Sequence, residues 1–158
     1  MAKLKMVRID YRLIHGQVVA KWIKFRPVER LILVDDALAA DEFMADIYRM
    51  AAGDKQVDIV GMADAQKALD ATDDTTMLIF KDVATAYSAW QSGVALPELN
   101  IGAVPSAKDR KTVVQGVALS PAEYGQLNEI AQSGVHVYLQ PIPEHEAVSL
   151  DSVAGKVN

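Results

Sequence analysis

The amino-terminal part of the chain combines a strand, a short polar loop and a helix. Residues 4–25 read LKMVRIDYRLIHGQVVAKWIKF. Apolar and basic side chains alternate over residues 4–9, which predicts a strand, and the apolar residues of segment 16–25 share one helix face. Pro27 ends this helix, because proline has no backbone N–H with which to continue it. The order strand, loop and helix is the first half of a βαβ unit.

The same order repeats along the rest of the chain. Further strands are predicted at 31–34, 57–60, 76–80, 99–102, 112–119 with an interruption at Gly116, and 135–139. Helices are predicted at 42–50, 64–69, 83–90 and 121–133. Such alternation predicts an α/β fold, with a mostly parallel central sheet and helices on both faces. We expect a single domain over residues 1–158, ending in a short helix and a frayed tail after Glu144.

Two helical patterns bear on how the chain packs. Asp41 is predicted to cap the helix at 42–50, and Phe43, Ile47 and Met50 are spaced to share one face of it. Three aromatic residues at helical spacing are interpreted as core residues rather than as a platform for ligand stacking: Trp22, Tyr87 and Trp90.

Composition excludes several classes of function. The net charge of −5 disfavours binding to nucleic acid, whose phosphates need a basic surface. The absence of cysteine excludes disulfides, a thiolate nucleophile and cysteine metal sites. No apolar run approaches the roughly 18 residues of a membrane span, and the first ten residues lack the apolar core of a secretory signal. We therefore expect a cytoplasmic protein.

Parallel sheets bind ligands at the carboxyl ends of their strands. The segments that should converge at that edge are 10–17, 35–36, 61–62 and 81–82. Asp36 and Lys81 are candidates to line the resulting cleft. For the pair Asp35 and Asp36, strand termination and capping are favoured over acid/base chemistry or a magnesium site.

The loop after the first strand carries the densest set of polar side chains. His15 can act as a nucleophile through a neutral ring nitrogen. Arg8 and Arg12 offer planar sets of donors that match a phosphoryl group, and Asp10 is expected to orient the imidazole or the arginines. The other members of the candidate phosphoryl-binding loop are Leu13, Ile14, Gly16 and Gln17. The set suits a transient phosphohistidine, although from these residues alone a structural loop histidine is an equal alternative.

Known sequence patterns for nucleotides and metals are missing from this loop. It contains neither GxxxxGK[ST] nor GxGxxG, so nucleotide binding is not indicated. The other histidines are interpreted as a strand residue, His136, and a solvated tail residue, His145. Histidines this scattered do not predict a metal site.

Residues 8–18, RIDYRLIHGQV, resemble the active-site loop of the IIB component of the mannose/fructose/sorbose family of the bacterial sugar phosphotransferase system. Three later segments resemble the same family: 34–36 with 39–41, 100–102, and 137–140. The resemblance covers nearly the whole chain. Two positions differ from the family pattern, which has an acidic residue where Tyr11 stands and commonly a glycine where Ala103 stands. The variation at Ala103 resembles members that serve amino sugars.

The resemblance implies a phosphocarrier, a protein-N-phosphohistidine–sugar phosphotransferase. His15 would accept a phosphoryl group on Nδ1 from a phosphorylated IIA domain and pass it to a sugar held by the membrane IIC/IID complex. Arg12 and Arg8 would help to hold the phosphoryl group. The resemblance implies no metal or organic cofactor, and it implies a cytoplasmic protein peripherally associated with the membrane transporter.

Two alternatives remain beside this interpretation. One is a non-enzymatic regulatory or binding module on the same fold that senses phosphorylation. The other is a flavodoxin-like binder of small molecules, against which the missing glycine-rich loop counts.

A positive patch near the loop predicts how the donor approaches. Five basic residues form it: Arg8, Arg12, Lys21, Lys24 and Arg26. We expect them to attract an acidic rim on the IIA partner, so that association weakens with salt. Homo-oligomer formation is compatible with such a fold but is not specified by the sequence.

Overall fold

The chain forms nine strands and six α-helices within the residues described. The computed structural model describes the backbone of residues 1–158 and all side chains except those of Gln17 and Val18. The strands are β1 Lys3–Asp10, β2 Arg30–Val34, β3 Gln56–Val60, β4 Thr75–Phe80, β5 Glu98–Ala103, β6 Lys111–Val114, β7 Val117–Leu119, β8 His136–Leu139 and β9 Val148–Ser149. The helices are α1 Gly16–Phe25, α2 Asp36–Ala39, α3 Glu42–Ala51, α4 Ala65–Asp70, α5 Val83–Gln91 and α6 Pro121–Gln132. Two 3₁₀ helices complete the set, at Met62–Asp64 and Asp151–Lys156.

Seven of these strands build one central sheet in the order β3-β2-β4-β1-β5-β8-β9. All neighbouring pairs are parallel except β8 and β9. Apolar cores cover both faces, and successive residues of β2 alternate between them: Leu31 and Leu33 belong to one core, Ile32 and Val34 to the other. The predicted fold class, a mostly parallel sheet with helices on both faces, is therefore confirmed.

Side-chain caps fix where the helices begin. Asp41 accepts a hydrogen bond from the backbone N–H of Met44 at the start of α3, as predicted. Ser120 and Glu123 form a reciprocal capping box at the start of α6. The sequence interpretation missed α2, a four-residue helix that Asp35 caps directly after β2. Asp35 thus terminates a strand and caps the adjoining helix, the role favoured for it.

Two expectations for the second half are wrong. Residues 112–119 are not one interrupted strand: β6 and β7 form an antiparallel hairpin that turns at Gly116, whose φ is +86°. The tail after Glu144 is not frayed, because β9 pairs with β8 and Val153 and Val157 are buried in the core. The apolar residues of the tail are too few to indicate, from the sequence alone, that the tail packs against the core.

The aromatic and apolar helix faces pack unequally. Trp22 is buried, as expected, whereas Tyr87 and Trp90 are only partly buried. Phe43, Ile47 and Met50 share one face of α3, but that face is exposed to solvent, since Ala45 and Tyr48 supply the inward side. Among the described residues, no helix combines the length and apolar character that a membrane span requires.

We predict that the docked tail contributes to stability. Val153→Ala removes two buried carbons and leaves a small cavity, so the free energy of unfolding should fall by about 2 kcal/mol. Asp151→Ala, an exposed change in the same 3₁₀ helix, is the control and should change it by less than about 0.5 kcal/mol. Urea titration measures both values. Equal stabilities of the two variants would contradict the packing described here.

Candidate active site

The loop that joins β1 to α1 lies where the connections of the sheet diverge. From β1 the chain enters α1, which packs on the core that contains Leu31 and Leu33. From the adjacent strand β4 the chain enters α5, which packs on the opposite core. Connections to opposite faces leave a crevice at the carboxyl ends of the strands, where ligands bind in such sheets. His15 and its neighbours therefore occupy the predicted edge.

The Asp10 carboxylate is the centre of the loop's polar network. Its Oδ1 accepts hydrogen bonds from the backbone N and the Nε of Arg12, both at 3.0 Å. Its Oδ2 accepts hydrogen bonds from Nη2 of Arg12 at 3.0 Å and from Nη2 of Arg8 at 3.2 Å. This one carboxylate, only 2% exposed, thus joins both arginines and fixes the loop backbone.

Arg8 is buried, and both Nη atoms of its guanidinium donate hydrogen bonds. Besides Asp10, its Nη1 donates to Oδ1 of Asn100 at 2.6 Å and to the Gln140 carbonyl at 3.2 Å, and its Nη2 donates to the Pro141 carbonyl at 2.8 Å. Burial lowers the pKa of the Arg8 guanidinium, and Asp10 only partly offsets this effect. The side chain is 3% exposed, so contact with a phosphoryl group, as the sequence interpretation had it, requires a rearrangement of this cluster.

The chain builds a fitted cavity for that guanidinium. The Trp22 ring lies beneath Arg8, 5.3 Å from Cζ to the ring centroid, and its Nε1 donates to the Pro141 carbonyl. At Gly102 a Cβ would lie 2.0 Å from Cζ of Arg8. Sequence reasoning noted Asn100 and Gly102 only as part of a family-like turn; a glycine beside a buried polar residue was the available signal of a close approach.

Arg12 is the arginine that reaches solvent. Its side chain is 30% exposed, and the hydrogen bond to Asp10 raises the pKa of its guanidinium. Its Cζ lies 5.7 Å from the centroid of the Tyr11 ring. Among the residues whose side chains are described, Nη1 of Arg12 has no hydrogen-bond partner. Arg12 can therefore present one edge of its guanidinium outward while Asp10 holds the other.

Leu13 and Ile14 anchor the loop from below. Both are buried, and Leu13 has a φ of +58°, the only left-handed non-glycine residue within the described backbone. Such a backbone is costly for a branched apolar residue and persists only where the surroundings impose it. Here the Leu13 N–H bonds to the Asp10 carbonyl at 2.9 Å. These residues support the loop, because their side chains are buried in the core beneath it.

His15 is exposed at the N-cap position of α1, with an extended backbone and no capping hydrogen bond from its side chain. The first turn of α1 carries no acidic residue, so the positive end of the helix is not neutralised there. Gly16 is exposed too, with open space where a side chain would stand. The side chain of Gln17, a predicted member of the loop, lies outside the described residues.

The other candidate residues lie at the same edge with mainly structural contacts. Asp36 accepts a hydrogen bond from the Met62 backbone N–H at 2.8 Å. The Nζ of Lys81 lies 3.8 Å from Oδ2 of Asp35, and both residues line a cavity together with Leu13. Elsewhere, His136 stacks on Tyr138 and His145 is exposed. The described residues include no cluster of three potential metal ligands.

The predicted positive patch is smaller than its sequence suggested. Arg8 is buried, Lys21 pairs with Glu144, and Arg26 donates to Glu98 at 2.6 Å. Glu144 and Glu98, which are distant in the sequence, neutralise Lys21 and Arg26, which no local pattern could indicate. Of the set, Lys24 is exposed with no ion pair among the described residues, and Arg12, 30% exposed, pairs with Asp10.

We predict that Gly102 is required for the Arg8 cavity. Gly102→Ala drives a Cβ into the buried guanidinium, so the free energy of unfolding should fall by at least about 2 kcal/mol. Gly125→Ala in α6 is the matched control, because its Cβ meets open space and alanine favours a helix by up to about 1 kcal/mol. Urea titration that finds both variants equally stable would contradict the fitted cavity.

Comparison with known proteins places the chain among characterised domains. The family described as "PTS system sorbose subfamily IIB component" matches residues 4–158. The sorbose-specific EIIB component of Klebsiella pneumoniae is 27% identical over 152 residues, covering 94% of this chain and 93% of that protein. The fructose-specific EIIB component of Bacillus subtilis is 26% identical over 147 residues, covering 90% of each chain.

A solved structure agrees over almost the full length. The crystal structure of manxB from Thermoanaerobacter tengcongensis superposes with a TM-score of 0.92 at 38% identity, covering 99% of this chain and 97% of that one. The family match includes β1, the loop that carries His15 and the tail that packs on the core. The chain therefore belongs to the sorbose-subfamily IIB components of the phosphotransferase system, whose work is phosphoryl transfer in sugar transport.

Proposed function

We propose that His15 is the phosphoryl carrier of this chain. It accepts the group from a phosphorylated IIA domain and passes it to a sugar bound by the membrane IIC/IID complex. The observation that carries the proposal is an exposed imidazole at the positive end of α1, beside a loop whose backbone is hydrogen-bonded to the buried Asp10 carboxylate. The other histidines lack such surroundings among the described residues: His136 lies on a strand end and His145 in the tail.

The chemistry needs little from the protein beyond position and charge. A neutral ring nitrogen of His15 attacks phosphorus, the nitrogen–phosphorus bond forms, and the bond to the donor's histidine breaks. In the second step a sugar hydroxyl oxygen attacks, the His15–phosphorus bond breaks, and the hydroxyl proton leaves to solvent or a base. Phosphoryl oxygens carry the charge throughout, so the free N–H groups of α1 and a nearby guanidinium stabilise both steps.

Arg12 supplies that guanidinium and Arg8 allows it to do so. The described state balances one carboxylate against two arginines, which leaves the cluster with one excess positive charge. When a phosphoryl group arrives, Arg12 turns its outward edge to the new anion. Arg8 keeps the Asp10 carboxylate neutralised, so Asp10 does not pull Arg12 back. Arg12 is thus a catalytic residue, and Arg8 and Asp10 are positioning residues.

The place of action follows from the partners. We infer that the chain works at the cytoplasmic face of the membrane, held peripherally to the IIC/IID complex, and needs no metal or organic cofactor. Relatives of similar identity are named for different sugars, fructose and sorbose. This supports a division of labour in which the membrane component selects the sugar and the IIB chain carries the phosphoryl group.

We predict that phosphate enters the chain only at His15. With phosphoenolpyruvate, the upstream carriers and IIA, the wild type should gain one acid-labile, base-stable phosphate, and His15→Gln should gain none. His136→Gln and His145→Gln are matched controls, since both remove exposed histidines far along the chain, and both should label fully. Mass spectrometry under mild alkali locates the label. Full labelling of His15→Gln would refute the proposal.

We also predict that Arg12 accelerates the transfer. Arg12→Ala should slow phosphorylation of His15 by more than about tenfold, the usual effect of losing one charge-stabilising donor. Arg12→Lys keeps the charge but loses the paired hydrogen bonds to Asp10, so its phosphorylation rate should lie between those of the wild type and Arg12→Ala. Arg30→Ala, which removes an ion-paired arginine at the opposite end of the strands, is the control. Rapid-quench kinetics that give wild-type rates for Arg12→Ala would exclude this role.

A further inference from the structure

An apolar stripe runs along the outer face of α3. It consists of Phe43, Met44, Ile47 and Met50, whose exposed fractions are 75%, 37%, 44% and 81%. The spacing places them along one side of the helix. The other large apolar residues exposed in the described chain are scattered: Met1, Tyr11 and Phe25. Large apolar side chains gathered on one exposed face mark an interaction surface.

The stripe lies beside the active loop. Met44 and Tyr48 of α3 line one cavity with Leu13 of the loop. At the other end, Ala51 and Ala52 line a groove with Gly16 and Val19 of α1. These two shared cavities place α3 next to the loop that carries His15. A partner covering a standard patch of about 800 Å², roughly 16 Å in radius, around His15 would also reach this stripe.

The size of the stripe argues against a dimer built on it alone. One face of a ten-residue helix is only about 15 Å long, far less than the area a stable dimer buries. Extension away from the loop would require the edge strand β3, whose middle residue is the charged Asp58. A two-fold pairing centred there would enclose two Asp58 side chains, each ion-paired with Arg30 at 2.9 Å, and charged side chains on an edge strand oppose such pairing, which disfavours a second copy.

Charge and polarity favour the membrane partner over the donor. Exposed carboxylates flank the stripe at Asp41 and Glu42, whereas Asp46 is ion-paired with Arg49 at 3.0 Å. Cytoplasmic loops of membrane proteins carry an excess of lysine and arginine, which complements this rim, whereas anionic lipid headgroups would be repelled by it. An apolar contact also suits a longer-lived association, while brief encounters use more polar surfaces.

We propose that the α3 stripe docks the chain onto the basic, cytoplasmic face of the membrane IIC/IID complex. The proposal rests on the proposed function, because it assumes that this complex approaches His15. The stripe supplies the apolar centre of the interface, and Asp41 and Glu42 supply its acidic rim. The donor also covers His15, but the acidic surface expected of it would be repelled by the carboxylates beside the stripe, so its binding does not depend on the stripe. Docking and phosphorylation are therefore separable properties of the chain.

The test replaces two exposed apolar residues together, Phe43→Ser and Met50→Ser. Binding is measured by co-sedimentation with phosphatidylcholine vesicles that contain the IIC/IID complex, and phosphorylation of His15 by phosphorylated IIA is measured in parallel. The dissociation constant should rise about tenfold, as for loss of central interface residues, while the phosphorylation rate stays within about twofold of wild type. Phe25→Ser, a similarly exposed aromatic on α1, is the control and should bind as wild type.

Other outcomes assign the stripe elsewhere. Unchanged binding, or equal binding to vesicles without the complex, overturns the proposal. Slower phosphorylation by IIA without weaker vesicle binding assigns the stripe to the donor. A wild-type dimer that the double variant dissociates in sedimentation assigns it to a second copy. If instead the wild type takes no phosphate at His15, the proposed function fails, and the vesicle binding still decides the docking surface.

Discussion

The buried contact between Asp10 and Arg8 holds the site together. Two opposite charges at 3.2 Å are removed from water, and the remaining donors of Arg8 are directed to Asn100 and to the backbone after β8. Removing one partner of such a pair generally costs about 3–5 kcal/mol, because the other stays buried without a counter-charge. The contact therefore ties the end of β1 to β5 and to the segment after β8. The loop that carries His15 begins directly after this contact.

This buried contact ties the exposed histidine loop to the interior of the protein. Asp10 binds the backbone and the guanidinium of Arg12, and the buried Leu13 adopts a left-handed backbone beneath them. His15 lies at the start of α1, so its ring stands on a helix that Trp22 packs onto the sheet. Positioning of this kind lowers the barrier to transfer because little reorganisation is left for the reaction itself.

Sequence patterns predicted the sheet and the helix starts well, because these depend on local signals. Alternation in the strands, the cap at Asp41 and the continuous apolar strand 31–34 all act within a few residues. The hairpin at Gly116 was missed because a glycine in the sequence does not show whether it makes a turn with a positive φ or only interrupts a single strand. The docked tail was missed because its partners are distant in the sequence.

The sequence indicated which polar residues gather around the loop but not how their roles divide. The sequence placed Arg12 in the loop and Arg8 on the first strand, and both were candidate donors to a phosphoryl group. What separates them is the cavity formed by Gly102, Asn100 and Trp22, which encloses Arg8 and leaves Arg12 partly exposed. Likewise, the apolar pattern of α3 indicated a face but not whether the protein's own core or another protein covers it.

The central claim is that Arg12 responds to the phosphoryl group while Arg8 stays in its cavity. Nitrogen-15 NMR of the arginine side chains, recorded before and after phosphorylation of the chain, tests this directly. The account predicts that the His15 ring signals and the Arg12 side-chain signals shift together while those of Arg8 keep their positions. Movement of the Arg8 signals with those of Arg12 unchanged would contradict it.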